Sequence, residues 1–456
     1  MSARDRAGHA EPSAPSPWKR LETAFQIRRR AGAEPDARSR VLIHAMNFSP
    51  EVIGAGRYTG ELAEYLATDG HSVEVVTAPP HYPGWHVRPP YRAWRYRRET
   101  RKGVRVLRCP ILLHRRGAGI WRLLAPLSFA ASAAPAVVWR ILCSRPHVVV
   151  CIEPTLFSAP AALLAARLVG ARAVLHVQDL EVDAAFAVGH LPDGVFRRLA
   201  DGFERFLLRR FGAVVTISGR MGARLLEKGA HADRLHLVRN WVDTTRIRPV
   251  HGRNAFREAL GLGKEAVVVL YAGQIGPKQG LRSVLDAARQ FAGGGKVHFV
   301  VAGDGPVKDQ LVRDYGGAQN IHFLPLQPEE KLCELLNLAD IHMLPQASGV
   351  ADLVLPSKLG GMLASRGQLV VAAEPGTELH DILAGHAVLV PPGDADAVAD
   401  GVRRVLAGAR EKNTGLAEAL FSKPRNLRAF TSALGLGIGE PSTAIRASAA
   451  APEHVQ

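Results

Sequence analysis

Short apolar runs rich in β-branched residues recur along the chain and alternate with longer stretches that suit helices. Such runs, apolar on both faces and separated by helices, predict a parallel sheet that is covered by helices on both sides. In the first half of the chain the predicted strands are 41–45, 72–77, 103–109, 147–152, 173–177 and 213–217.

The same pattern restarts after a polar, proline-containing stretch at 240–254, which we expect to be a linker. The second set of predicted strands is 266–273, 297–305, 321–326, 340–345, 368–373 and 387–392. A chain of 456 residues is too long for one ordinary domain. The sequence therefore predicts an α/β protein with two doubly wound Rossmann-like domains, at 41–240 and 255–410, facing a central cleft that binds ligands.

The ends of the chain lack this pattern. Residues 1–40 mix Pro, Ala, Ser and charges without periodicity, which predicts a disordered basic arm. After residue 410 the strands stop, and 411–434 is predicted to be a C-terminal helix with an interruption at Pro424. The small, polar stretch 435–456 is predicted to be a disordered tail.

Composition narrows the class of protein. With 47% hydrophobic and 22% charged residues the chain is typical of a globular protein. Its four cysteines have no paired spacing, which argues against a disulfide framework or a zinc cluster and favours a reducing compartment. The first fifteen residues carry charges and prolines where a signal peptide needs an apolar core, so we do not expect secretion.

The net charge of +16 is concentrated in one segment. Between 85 and 125 there are twelve Arg or Lys residues and a single acid, Glu99. This segment suits the phosphates of nucleic acid, anionic lipid or a pyrophosphate-linked substrate, and the alternative is a solvated basic face. The uncharged stretch 123–139 follows it and predicts either a buried crossover helix or a helix that touches a membrane. A true span is the least favoured, because seventeen residues with two prolines are marginal for a bilayer.

Glycines follow the first strand of each predicted domain. Gly54 and Gly56 come between a strand and a helix, where backbone N–H groups can bind an anion. The spacing is not that of the dinucleotide fingerprint, and a tight turn without a ligand is the alternative. In the second domain, strand-end glycines and the polar residues near helix starts are expected to bind a diphosphate. They are Gly273, Gly276, Lys278, Gln279, Gly303, Ser357 and Lys358.

The end of the strand at 173–177 carries the densest cluster of polar residues. His176 is followed by Asp179, Glu181 and Asp183, and polar side chains at the end of a buried strand need a partner or a function. A histidine satisfied within the core is the alternative. The chain has no HxH, HExxH or GxSxG spacing, so we expect neither a metal site nor a nucleophile elbow.

These residues lie in stretches that resemble retaining glycosyltransferases of the GT-B fold, family 4, and within them the WcaI-type branch of colanic acid and exopolysaccharide enzymes. The resemblance runs from about 41 to 407. It is carried by SPEVIGAGRYTGELAEYLATDGHSVEVVTAPPHYPGW, AVLHVQDLEVDAAF, VLYAGQIGPKQGL, LPLQPEEKLCELLNLADIHMLPQ and DLVLPSKLGGMLASRG.

The resemblance implies roles for several positions. The first glycine loop would lie against the donor phosphates, the second domain would hold the nucleotide, and the last helix would cross back to the first domain. His176 matches a histidine that the family places near the reactive carbon of the sugar. The chain departs from the family where Gln274 and Gln279 replace an Arg and a Lys. It departs again at Gly361, which replaces the ribose-binding glutamate and leaves Asp352 as the nearest acid upstream.

The resemblance also implies the activity and the partners. We expect a sugar to pass from a nucleotide-diphosphate donor to a lipid-pyrophosphate-linked acceptor on the cytoplasmic face of the cell membrane, without a cofactor or metal. The basic run Arg88–Arg122 would bind the anionic membrane surface, and no nucleic acid is expected because aromatic residues are few and no recognition helix is visible. The alternatives are a catalytically impaired scaffold of a polysaccharide assembly complex and a nucleotide-sugar 2-epimerase of the same fold.

Overall fold

A computed structural model describes residues 38–51, 54–82, 84–114, 121–153, 157–180, 183, 194–348, 355–408 and 415–436. They form two α/β domains, each built on one sheet. Most of the expected N-terminal arm (1–37), the segment 411–414 and most of the expected tail (437–456) lie outside the described residues.

The N-terminal domain contains an eight-stranded sheet with the order β3-β4-β2-β1-β5-β6-β7-β8. Every neighbouring pair is parallel except β3 and β4, which pair antiparallel at one edge. The strands are β1 Arg40–Ala45, β2 Ser72–Thr77, β3 Arg97–Arg101, β4 Val104–Arg108, β5 Val148–Ile152, β6 Arg172–Val177, β7 Ala213–Thr216 and β8 Leu235–Leu237. The helices are α1 Ala55–Thr68, α2 Trp121–Ser144, α3 Ala159–Leu168, α4 Val195–Leu208 and α5 Gly219–Glu227.

The C-terminal domain contains a six-stranded parallel sheet with the order β11-β10-β9-β12-β13-β14. Its strands are β9 Val267–Ala272, β10 Val297–Ala302, β11 Ile321–Leu324, β12 Ile341–Leu344, β13 Gln368–Ala372 and β14 Val388–Val390. Its helices are α6 Ala255–Ala259, α7 Leu281–Arg289, α8 Lys308–Tyr315, α9 Leu332–Leu336, α10 Leu359–Ser365, α11 Glu378–Leu383 and α12 Ala395–Leu406. Two last helices follow, α13 Leu416–Phe421 and α14 Lys423–Leu434.

Each sheet separates two apolar cores. In the N-terminal domain one core lies under α2, α3 and α4, and the other lies under α1 and α14. Strands such as β5 are buried along their whole length because both of their faces meet helices. This explains why the strand sequences are continuous apolar runs instead of alternating ones.

The C-terminal segment crosses between the domains as two helices with a break at Ser422. Phe421 of α13 packs in a core of the C-terminal domain, and Phe430 of α14 packs in a core of the N-terminal domain. The expected interruption at Pro424 has a different form, since this proline lies in the first turn of α14, where its missing N–H has no helical partner to lose. The described part of the chain continues beyond α14 to Leu436, whose side chain is buried against the N-terminal domain.

The two chain crossings between the domains are bonded to each other. The backbone N–H of Val242, in the linker, donates to the carbonyl of Phe421 at 2.7 Å, and the N–H of Lys423 donates to the carbonyl of Val242 at 3.0 Å. Glu61 of α1 joins them, because one carboxylate oxygen accepts from Trp241 Nε1 and pairs with Lys423 Nζ, both at 2.8 Å. The two crossings therefore form a single connection.

A buried carboxylate provides a second link between the domains. Glu378, at the start of α11, accepts hydrogen bonds from the backbone N–H groups of Gly219 (3.0 Å) and Arg220 (2.8 Å), which begin α5 in the N-terminal domain. Arg239 pairs with the same carboxylate at 2.8 Å, and both side chains are almost fully buried. A negative charge at the N-terminus of a helix is also favoured by the helix dipole.

We expect Glu378→Gln to destabilise the protein strongly. The amide would turn an N–H₂ donor toward backbone N–H donors and would remove the buried negative charge that Arg239 contacts, and breaking a buried pair in this way costs about 3–5 kcal/mol. Thermal and denaturant unfolding of the full chain measure the effect. The matched control is Glu329→Gln, which removes an exposed pair with Arg246 and is expected to cost at most about 1 kcal/mol. Equal unfolding midpoints for the two variants would contradict the role of Glu378.

Candidate active site

The first glycine loop lies between β1 and α1 and is shaped by the buried carboxylate of Glu51. This carboxylate accepts from the backbone N–H groups of His81 and Tyr82, both at 2.9 Å. Gly56 is so close to it that a Cβ atom would lie 2.5 Å from Glu51 Oε2, and Gly54 has a φ of +66°. Among the described residues no side chain caps α1, so the first N–H groups of this helix are available to an anion.

In the C-terminal domain the loops that follow β9 and β10 lie directly against each other. The N–H of Gly273 donates to the carbonyl of Ala302 at 2.9 Å, and the N–H of Ile275 donates to the carbonyl of Asp304 at 2.8 Å. A Cβ atom at Gly303 would lie 1.9 Å from the carbonyl oxygen of Gly273. Only glycine fits at Gly303, and its absent side chain lets the two strand ends approach.

Lys278 lies on a short turn, Pro277–Gln279, that leads into α7. The backbone of the turn is held in place, because the carbonyl of Lys278 accepts from the N–H of Ala347 at 3.0 Å, while the Lys278 side chain is exposed. Gln279 folds back over Gly276, where a Cβ atom would lie 2.8 Å from Gln279 Oε1. The charged side chain of Lys278 is therefore exposed, while the backbone that carries it is fixed by a hydrogen bond.

Lys358 directly precedes α10 and lies over the ring of Tyr271, with its Nζ 4.0 Å from the ring centroid. The same Nζ would be 3.6 Å from a Cβ atom at Gly273, which places the ammonium group beside the first strand-end loop. Loss of hydration on burial lowers the pKa of Lys358 to about 7. A neighbouring anion would restore its charge.

His176 ends β6 and is buried, with 3% of its surface exposed. Its ring packs edge-on against Phe430 of α14, with 4.7 Å between centroids. Burial lowers the pKa of His176 to about 3, so the imidazole is neutral at neutral pH. A histidine in this state is a weak proton acceptor and carries no positive charge, which leaves it a positioning role.

Gln178 connects His176 to the linker between the domains. Its Nε2 lies 3.3 Å from His176 Nε2, and its amide forms a reciprocal pair with the amide of Asn240, at 3.0 and 3.2 Å. Asn240 in turn lines a small crevice between the domains, together with Arg239 and the exposed Ser357. A chain of polar contacts thus runs from His176 to Asn240, which shares this crevice with residues that precede α10.

Asp179 and Lys278 approach each other from opposite domains. Asp179 is exposed, yet partial desolvation within the cleft raises the pKa of its carboxyl group. A hydrogen bond from the N–H of Leu180 and the charge of Lys278 act in the opposite direction. The effect of the Lys278 charge on Asp179 indicates that these two predicted site residues lie near each other, although they belong to different domains.

Two of the predicted site residues, Glu181 and Asp352, lie outside the described residues. At the position of the expected ribose-binding glutamate, a Cβ atom on Gly361 would lie 3.1 Å from Leu336 Cδ1, so this position faces the packing between α10 and α9. In the described part of the chain no three His, Cys, Asp or Glu side chains come together as metal ligands would.

Several residues that shape the site have no signal in the sequence. Glu51 sits in the first glycine loop but its partners are about thirty positions away, and Asn240 lies in a segment that is predicted only as a linker. Tyr271, inside an apolar strand run, is indistinguishable by pattern from a core residue, although its ring supports Lys358. Its place near the end of a strand, two residues before a glycine, is the one hint that Tyr271 offers.

Known proteins match both domains. The family described as Glycosyl transferase 4-like domain matches residues 53–241, and the family described as Glycosyl transferases group 1 matches residues 252–419. The chain is 38% identical over 403 residues to the Escherichia coli (strain K12) protein named colanic acid biosynthesis glycosyl transferase WcaI, covering 86% of this chain and 98% of that protein. A D-inositol 3-phosphate glycosyltransferase of Mycobacterium tuberculosis (strain ATCC 25177 / H37Ra) is 33% identical over 46% of each chain.

Solved structures share the fold. Sucrose-phosphate synthase from Thermosynechococcus elongatus superimposes with a TM-score of 0.66 at 16% identity, covering 86% of this chain and 98% of that one. HepE from Anabaena, in complex with UDP and glucose, gives 0.60 at 15% identity over 87% of this chain and 99% of that one. At these identities the likeness concerns the fold, and it confirms the predicted pair of Rossmann-like domains. Together with the similarity to WcaI over nearly its whole length, these matches establish that the chain is a glycosyltransferase of family 4 with the GT-B fold.

Proposed function

We propose that this glycosyltransferase moves a sugar from a nucleotide-diphosphate donor, with retention of its anomeric configuration, onto a lipid-linked oligosaccharide during the synthesis of a surface polysaccharide. One observation carries the proposal: two lysines of the C-terminal domain, Lys278 and Lys358, flank the glycine loops at the ends of β9 and β10, and the charge of Lys278 acts on Asp179 of the other domain. Two cations beside the backbone N–H groups of glycine loops are suited to binding a diphosphate.

The relatives support the donor and the setting. HepE was crystallised with UDP and with UDP-glucose, and the present chain has the same fold. The name of WcaI refers to colanic acid biosynthesis, which supports a role in exopolysaccharide assembly. Both points come from proteins that this chain resembles.

The departing diphosphate is the group that the proposed site would stabilise. Lys278 and Lys358 would neutralise its charge, and the N–H groups at Gly54–Gly56 and Gly276 would bind its oxygens, so that the negative charge that develops on the leaving group is balanced where it forms. In a retaining transfer the acceptor attacks the face from which the leaving group departs, and its proton can pass to a diphosphate oxygen. No strong base on the protein is then required.

The residues of the N-terminal domain would orient the reacting sugar. His176 is neutral and fixed between Phe430 and Gln178, so its ring or its backbone can position the sugar without exchanging protons. The Asp179 carboxylate lies in the cleft and can accept hydrogen bonds from sugar hydroxyls, and Glu181, two residues later in the sequence, would have the same role. The enzyme would act in the cytoplasm, peripherally attached to the inner face of the membrane.

A donor screen tests the activity. UDP-, GDP- and TDP-sugars are added to the full chain, and the one that binds is expected to raise its melting temperature, since a ligand at 100 times its Kd adds about 2.7 kcal/mol. Binding of none of them would favour a scaffold without activity. Release of an epimerised sugar without an acceptor would favour the 2-epimerase.

We expect Lys278→Ala to lower the rate of sugar transfer about 10- to 100-fold, because a charge-assisted contact with the diphosphate is worth about 1.5–3 kcal/mol. Steady-state transfer with the donor found in the screen measures it. Lys264→Ala, another exposed lysine of the same domain, is the matched control and should leave the rate unchanged. Wild-type turnover in Lys278→Ala would overturn the assignment.

The affinity for a nucleotide sugar should fall above pH 7. The unoccupied Lys358 has a pKa of about 7 and is mostly neutral above this pH, whereas a bound diphosphate favours the charged form. Binding then takes up a proton, and Kd is expected to rise by up to about tenfold per pH unit. Titration calorimetry in buffers of different ionisation enthalpy measures the proton uptake. The pH dependence should disappear in Lys358→Met, and its persistence there would assign it to another group.

We also propose that no metal ion takes part, because the lysines can supply the charge that a divalent cation would otherwise provide. The described residues contain no cluster of three His, Cys, Asp or Glu side chains that could hold one. Sugar transfer is therefore expected to proceed at an unchanged rate in excess EDTA. A loss of activity that Mg²⁺ or Mn²⁺ restores would show that a metal is required.

A further inference from the structure

Helix α2 has an apolar face on its outside as well as on its inside. Five residues at a spacing of four, Ala125, Phe129, Ala133, Val137 and Ile141, are completely or almost completely buried in the core. The opposite face is exposed and carries no charge. It is formed by Leu127, Ala131, Pro135, Trp139, Leu142 and Cys143.

This exposed stripe is unusual for a helix at a protein surface, whose outer face is normally polar. Leu124–Ser144 is long and apolar enough to cross a membrane, but only 28% of it is buried in the protein. Trp139 has 64% of its surface exposed. The stripe therefore exposes apolar surface to water, which is unfavourable, and an apolar patch of this kind marks a contact with a partner or a membrane.

Hydrogen bonds fix α2 to the rest of the domain. Ser128 Oγ accepts from the N–H of Leu112 at 2.9 Å, Ser132 Oγ donates to the carbonyl of Pro110 at 2.5 Å, and Tyr96 Oη donates to the carbonyl of Ser132 at 2.9 Å. With one face in the core and these bonds beside it, α2 is a helix of the domain and not a membrane span. Its outer face is a preformed surface.

The segment next to this stripe is aromatic and strongly basic. Trp94 is 64% exposed and lies under the guanidinium groups of Arg92 and Arg95, at 5.8 and 4.7 Å. The one acid of the segment, Glu99, is engaged by the fully buried Arg108. Arg101 is half-buried, and seven other cations of the described part of the segment are exposed, namely Arg88, Arg92, Arg95, Arg97, Arg98, Lys102 and Arg105.

A groove of about 600 Å³ joins the basic segment to the helix. Tyr96 and Trp139 line it together with Leu107 and Pro135, and so do two arginines, of which Arg140 is paired with Glu74 and Arg98 is exposed. Apolar and aromatic side chains next to an exposed arginine fit a lipid, whose chain is apolar and whose headgroup carries phosphate.

We propose that the exposed stripe of α2, the groove and the segment 88–105 form one docking surface for an anionic lipid bilayer. Apolar and aromatic side chains would enter the boundary between headgroups and acyl chains, and the arginines would lie at the level of the phosphates. A second copy of this chain is disfavoured as the occupant, because a symmetric contact would place the seven exposed cations of one copy against those of the other. The inference rests on the proposed function for its purpose, since a lipid-linked acceptor lies in such a membrane.

Sedimentation with vesicles tests the docking surface. The full chain is mixed with vesicles of phosphatidylcholine alone or with about 30 mol% phosphatidylglycerol, and we expect strong binding only to the anionic vesicles, weakened by salt. Replacing Arg92, Arg95 and Arg98 by Gln should weaken binding at least about tenfold, whereas Lys264, Arg313 and Arg404, exposed on the C-terminal domain, should tolerate the same change. An equal loss of vesicle binding in the two triple variants would contradict the proposed docking surface.

The apolar stripe has its own matched pair. Leu142 and Leu406 are 42% and 43% exposed, and both lie in the last turn of a helix. We expect Leu142→Gln to weaken vesicle binding several-fold and Trp139→Ser about tenfold or more, with Leu406→Gln unchanged. Melting temperatures and donor binding should stay at wild-type values, which shows that the variants are folded. Unchanged vesicle binding in Trp139→Ser would overturn the proposal, as would a change in oligomeric state in place of a change in vesicle binding.

Failure of the docking surface and failure of the proposed function give different results. Vesicle binding needs no substrate, so it can be present in a protein that transfers no sugar, which would contradict the activity and support the surface. If the protein transfers sugar to a water-soluble acceptor but does not bind anionic vesicles, the activity is supported and the proposed docking surface is contradicted.

Discussion

Everything in the cleft depends on the geometry of one connection between the domains. The linker and the C-terminal segment cross side by side and bond through Val242, Phe421 and Lys423, and Glu61 ties both crossings to α1, the helix that follows the first glycine loop. Because the crossings are bonded to each other, they cannot move independently. A rotation of one domain about this region would move Lys278 and Lys358 together relative to Asp179 of the other domain.

Glu378 holds the two domains together at a second point and would restrain such a rotation. Its carboxylate belongs to the C-terminal domain, while three of its hydrogen-bond donors, at Gly219, Arg220 and Arg239, belong to the N-terminal domain or the start of the linker. Opening the cleft at this side would expose a charge pair that is now buried, but water would solvate both partners. The contact therefore favours the present arrangement of the domains without making it irreversible, which would suit the proposed binding of a donor and release of a nucleotide.

The strands of both sheets could be predicted because their burial on two faces leaves continuous apolar runs, as in β5. The edge strand β3 could not, since its sequence RRETR has no apolar residue and its stability comes from antiparallel pairing with β4. The glycine loops were also predictable, because a strand, a glycine and a helix follow one another in the sequence. The groups that hold these loops were not: Glu51 and Glu378 act on backbone N–H groups about 30 and 159 positions away, and a carboxylate that binds distant N–H groups has no local pattern.

Arg108 connects the docking surface to the site. Its guanidinium is fully buried and donates to Glu99 at 2.8 Å, to the carbonyl of Ala78 at 3.0 Å and to the carbonyl of Ser49 at 2.6 Å. Glu99 belongs to the basic segment, whereas Ser49 belongs to the first glycine loop. The planar guanidinium of Arg108 is held by hydrogen bonds in three directions, so a displacement of one of its partners is passed to the others more directly than through a flexible side chain. Contact between the basic segment and a membrane would therefore act on the glycine loop through one rigid group, at the point where the proposed lipid-linked acceptor and nucleotide-sugar donor would meet.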